Sequence, residues 1–155
     1  MRQLTILLFI CLSIGCETTL KTKNNTDVLN GTWIPVKQEM GGKELPAAAF
    51  AKQRLTLSDS TYTFIAESVD KGVVKYSNGK MDIYRKEGVN AGKHFTAIYS
   101  YENLPDQPVR QLSGGQTGKQ LTICYNLSGD NHPETFETKS KPTLFISVFK
   151  KEATK

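Results

Sequence analysis

From Gly31 onward the chain reads as short runs in which apolar residues take every second position, broken by turn residues. A period of two belongs to a β-strand with one buried face, because successive side chains point to opposite sides of a pleated backbone. The runs cover 31–38, 54–58, 61–67, 72–77, 81–86, 94–101, 119–127 and 143–151. Asp59-Ser60 and Asn78-Gly79-Lys80 separate neighbouring runs. Asp, Asn and Gly tolerate the positive φ of a tight hairpin turn, so both are expected hairpins. No segment sustains a helical period. One short helical turn is expected over 46–52, where Pro46 opens an Ala-rich stretch. The alternation assigns inward faces to Leu55 and Leu57, to Tyr62, Phe64 and Ala66, and to Met81 and Ile83. Further along it assigns them to Phe95, Ala97, Tyr99 and Tyr101, to Leu121, Ile123 and Tyr125, and to Leu144, Ile146 and Val148. One open sheet of this length would leave exposed edges, so closure into a barrel or into two packed sheets is expected. The hairpin-to-hairpin order favours an all-β, single antiparallel up-and-down β-barrel of about eight strands.

The N-terminus has a different grammar. Residues 1–15 carry one basic residue, Arg2, then a compact apolar stretch and small residues before Cys16. That stretch is too short to cross about 30 Å of hydrocarbon as a helix, so a signal peptide is expected. The run 12–16 (LSIGC) resembles a bacterial lipobox. That resemblance implies that the Cys16 thiol is acylated, palmitate being a typical chain, and becomes the mature N-terminus. An ordinarily cleaved, secreted form is the alternative. Several acyl chains suffice for stable anchoring, so the membrane is an expected partner through Cys16. Glu17 after the cysteine resembles the pattern of outer-membrane lipoproteins, which implies a bacterial cell envelope location. Residues 16–28 are polar and aperiodic and read as a lipidated cysteine with a flexible tether. The folded domain is then expected over 29–151.

Cysteine usage agrees with this. Cys11 leaves with the signal and Cys16 carries lipid, so Cys124 stands alone and reads as a buried structural thiol. The net charge of +5 is modest and scattered. It lacks the clustered basic stripe that nucleic-acid binding requires.

Gly31-Thr32-Trp33 opens the first run and resembles the G-x-W start of lipocalins. In that family the Trp plugs one end of an eight-stranded barrel, and a basic residue late in the last strand lies across its ring. The resemblance implies that Gly31, Trp33 and Lys150 (or the adjacent Lys151) form that plug. A wider resemblance joins 29–33, 41–46 (GGKELP), 54–57, 118–125 and 143–151. Together they are similar to a bacterial family of uncharacterised lipocalin-like domains, often exported. The family implies a small barrel and brings no ligand and no catalytic residues with it.

The chemistry-bearing residues give no catalytic constellation. His94 and His132 lie on different expected elements and read as unrelated surface histidines. Asp70 and Glu67 read as loop charges, and Asp130 and Glu134 lie in a turn region. No metal site, no cofactor and no enzymatic activity are expected. Residues 103–118 hold Pro105, Pro108 and several glycines and form a long connection. An eight-stranded barrel either fills with side chains or holds one small ligand. The expected cavity lining is Leu57, Phe64, Ile83, Phe95, Tyr99 and Ile123, which suits a small apolar molecule. The alternative is a side-chain-filled barrel that acts as a structural or protein-interaction lipoprotein.

Overall fold

A computed structural model describes residues 27–104, 116–129 and 131–153. The expected signal peptide, Cys16 and most of the tether lie outside the described residues, as do residues 105–115 of the long connection.

The described chain is a closed antiparallel barrel of eight strands with one added short strand. The strands are β1 (Gly31–Met40), β2 (Lys43–Glu44), β3 (Arg54–Ser58), β4 (Thr61–Ile65) and β5 (Val69–Ser77). They continue with β6 (Lys80–Glu87), β7 (His94–Asn103), β8 (Gln116–Asn126) and β9 (Leu144–Glu152). Consecutive strands pair as hairpins from β3 to β9. β1 pairs with β3 through Gly31–Leu57 to Trp33–Leu55, and with β9 through Trp33–Lys151 to Met40–Phe145. That double pairing removes the edges. β2 is a two-residue appendage to β1 across Gly41 and Gly42, both at positive φ. Among the described residues helix is confined to 3-10 turns at Asp27–Leu29 and Ala47–Ala49, the second within the stretch expected to turn.

The expected hairpins form with two-residue turns: Ser58 pairs Thr61 across Asp59-Ser60, and Ser77 pairs Lys80 across Asn78-Gly79. Asp59 and Asn78 both adopt positive φ, as these side chains can.

β1 contains the fold's main irregularity. Trp33 and Pro35 stand opposite Lys151 and Phe149, then the register slips between Pro35 and Lys37. Val36 is the extra residue of a β-bulge, placed beside a proline that has no N–H to give the ladder. Before the bulge odd-numbered residues face inward. After it Gln38 and Met40 do, opposite Ser147 and Phe145. β1 and β3 part beyond Trp33, and the Ala47–Ala49 turn occupies the end of the barrel beside that gap.

The last strand corrects an expectation. Leu144, Ile146 and Val148 face outward, and Phe145, Ser147 and Phe149 face inward. Both faces of β9 carry apolar residues because both are covered. The segment 131–143 lies over the outer face: Thr96 Oγ1 donates to Asn131 O at 2.7 Å, Gly42 N donates to Thr138 Oγ1 at 3.0 Å, and Thr138 bonds the Glu39 carboxylate. Cys124, which pairs Ile146 on that outer face, is fully buried, and burial pushes its thiol pKa up to about 11. The inner position that polarity would have sent outward, Ser147, is buried with a hydrogen bond from Gln38 Nε2.

Candidate functional site

One end of the barrel is shut. It is the end from which β1 starts. Trp33 is wholly buried, and its indole Nε1 donates to Leu29 O at 2.7 Å. Buried Trp usually finds such a partner, and here the 3-10 turn before β1 supplies it. Tyr101 meets the indole edge-on at 6.3 Å. The ammonium of Lys151 lies 5.2 Å from the ring centroid and donates to Val28 O at 3.1 Å. Burial lowers the Lys151 pKa, with Lys119 adding to the effect. Lys151, not Lys150, therefore lies across the ring. Lys151 is the register partner of Trp33, so the two share a face, while Lys150 points to the opposite one. Gly31 is required beside them: its φ is +125°, and a Cβ there would come within 2.8 Å of Lys151 Cε.

Toward the other end the interior opens into a cavity of about 320 Å³. Its walls include Leu57, Phe64, Ile83, Phe95 and Ile123, five of the six residues expected to line it. Tyr99, the sixth, does not reach it. Tyr99 packs edge-on against Tyr76 at 6.0 Å, toward the shut end. Sequence reasoning missed Phe145 and Phe149, because it turned β9 over, and Met40, because the bulge is not visible as a pattern. It also missed Arg85. The signal was present: Arg85 lies two residues after inward-facing Ile83 in an alternating strand, and period two places it inside.

Arg85 is the most unusual wall residue. Its Nη1 donates to Asp70 Oδ2 at 2.6 Å, and its guanidinium lies 4.5 Å above the Phe95 ring centroid. Asp70 is buried in β5, which corrects its reading as a loop charge: β5 begins at Val69 and takes Asp70 into the sheet. Gly72, next inward on β5, lacks a Cβ. A Cβ there would come within 2.1 Å of Tyr84 O and 2.7 Å of Tyr62 Cε1. The Tyr62 ring closes over it. The Tyr62 hydroxyl, Arg85 Nε and Asp70 Oδ1 are buried without hydrogen-bond partners. Burial raises the Tyr62 pKa, Arg85 opposes the rise and Asp70 adds to it. Burial raises the Tyr125 phenol as well, again against the Arg85 charge.

Outside the cavity lies a wider vestibule of about 770 Å³, bordered by the Ala47–Ala49 turn and the β4–β5 and β6–β7 connections. Gln53, Phe64 and Arg85 border both spaces and frame the doorway between them. Gln53 is fixed from both sides: its Oε1 accepts from Gln38 Nε2 at 2.7 Å, and its Nε2 donates to Ala49 O at 3.3 Å.

The two histidines are not unrelated. His94 Nε2 and His132 Nε2 approach the same oxygen, Asp82 Oδ1, at 3.3 and 3.4 Å. His94 also stacks on Tyr84 at 4.6 Å. The pairing ties the 131–143 segment to β6 and β7 on the outer face, away from the cavity. Among the described residues no group of three His, Cys, Asp or Glu side chains is placed to hold a metal ion.

No family model matches the chain, and no curated protein or solved structure matches it either. The fold and cavity therefore carry the functional argument.

Proposed function

We propose that this protein is a lipocalin-like carrier that holds one small hydrophobic molecule inside its barrel, without enzymatic activity. The cavity is the observation that carries the reading. Its volume of about 320 Å³ falls at the lower end of the range for ligand pockets, about 300–1,000 Å³. Its walls are mostly aliphatic and aromatic, with a few polar groups near the doorway, which is the usual composition of a small-molecule site. An eight-stranded barrel is just wide enough for such a guest. A side-chain-filled barrel with a purely structural role would leave no such void, so the cavity weighs against that alternative.

The envelope location and the membrane anchor at Cys16 are part of the proposal and rest on the N-terminal sequence. A carrier with an acylated terminus would work beside a bilayer, where apolar molecules concentrate.

Native mass spectrometry of the protein, purified gently from the cells that make it, tests the carrier reading. A retained adduct with the mass of a small lipid or metabolite is the expected result. A clean apo mass, with no small molecule in an organic extract, would overturn it.

A further inference from the structure

The doorway has a chemistry of its own. Arg85 and Asp70 form a pair that is neutral overall, at the boundary between the apolar cavity and the vestibule. The vestibule beyond is balanced too, with Lys52 and Arg85 against Glu67 and Asp70. A guest with its tail in the cavity brings its other end to this pair. A carboxylate there would be drawn to Arg85 and repelled by Asp70. An ammonium would meet the reverse. An uncharged group that both accepts and donates hydrogen bonds satisfies both partners, since guanidinium N–H groups only donate and a carboxylate only accepts. Arg85 Nε and Asp70 Oδ1 are a donor and an acceptor without partners, but both are buried, Oδ1 against Gly88, so a head meets the pair through the atoms that border the cavity and the vestibule, beside the Asn90 amide that also donates to Asp70 Oδ2.

We infer that the guest is an amphiphile with an uncharged, hydrogen-bonding head, such as a hydroxyl or primary amide, read by the Arg85–Asp70 pair at the doorway while its hydrocarbon tail fills the cavity. This inference rests on the carrier reading above and narrows it to a ligand class. The tail is short. At ~30 Å³ per carbon-sized group, the share one water takes in the liquid, the cavity has room for about ten.

The test is a head-group series of constant tail length: 1-decanol, decanamide, decanoate and decylammonium, titrated calorimetrically at pH 8. Decanol and decanamide are expected to bind about tenfold tighter than the two ions, the effect of setting a like charge beside a desolvated one. Asp70→Asn leaves Arg85 without its counter-charge and is expected to raise decanoate affinity to at least that of decanol. Arg85→Met should cost decanol about tenfold. The wild-type series decides the matter even if a variant fails to fold. Tightest binding by decanoate would overturn the inference. So would equal affinity for all four, which would leave the carrier reading intact with a head that is not read. If none of the four binds, and the neutral apolar probe N-phenyl-1-naphthylamine does not bind either, the carrier reading itself falls.

Discussion

At the shut end of the barrel, Trp33 gives its one N–H to a backbone carbonyl and meets Tyr101 and Lys151 across its ring. At the open end, Arg85, Asp70 and Tyr62 leave buried polar atoms without partners around a void. The same strands run through both ends. What differs is what each end gives up. The plug is packed and hydrogen-bonded, which favours stability. The doorway keeps polar capacity unused, which costs free energy in the empty protein and is recovered only when something else supplies the missing partners. Three such atoms gather beside the void; the Tyr76 hydroxyl, toward the shut end, and His132 Nε2, on the outer face, are also buried without hydrogen-bond partners, so it is the void together with the doorway groups that marks where a ligand belongs.

Four measurements sharpen or break that contrast, from the largest expected effect to the smallest. Trp33→Ala should lower unfolding stability by about 3–5 kcal/mol, read from the urea midpoint, because it removes a fully buried indole from a packed end. An unchanged midpoint would remove the plug from the account. Next comes alkaline stability. Burial pushes the Tyr76 phenol from 10.0 up to about 12, with Tyr99 adding to the rise. The folded state thus holds this proton more tightly than the unfolded chain does. The stabilisation is fully present below pH 10 and is lost as pH rises toward 12, by about 2–3 kcal/mol. Tyr76→Phe should flatten that loss in denaturant titrations across this window. Third, Phe145→Ala at the open end should cost only about 1–2 kcal/mol, since its ring already borders a void and packs less completely. A cost equal to that of Trp33→Ala would show that the two ends are packed alike. The smallest effect is Lys151→Met, about 1 kcal/mol, for the lost contact with the Trp33 ring and the lost hydrogen bond to Val28 O.

The strands, their hairpins and their closure were legible in the sequence because the barrel obeys one local rule, alternation, over most of its length. Trp33 was singled out by the G-x-W pattern it resembles, whereas five cavity-lining residues followed from the same rule. It failed in three places, each time for a non-local reason. The two faces of β9 are both apolar because 131–143 covers the outer one, and nothing inside β9 announces that cover. Met40 and Gln38 point inward because Val36 is an extra residue that β9 does not match; Pro35 beside it marks the break in the ladder, but alternation alone does not count the added residue. Asp70 looked like a loop charge because a buried carboxylate is expected only where a cation meets it, and Arg85 stands on the neighbouring strand. His94 and His132 are brought together by a segment that wraps back over the barrel, a relation that spacing along the chain does not encode.

The pairing of β1 with β9 also has a consequence in time. The first strand of the barrel finds only a three-residue ladder with β3, and its long ladder waits for residues 145–151. Closure is thus the last event available to the chain, and contacts so distant in sequence form slowly. Until then the hydrophobic interior is open along one seam. A nascent chain in that condition is exposed to aggregation. The ring that protects the finished barrel is the reason the barrel stays open until its last strand has been made.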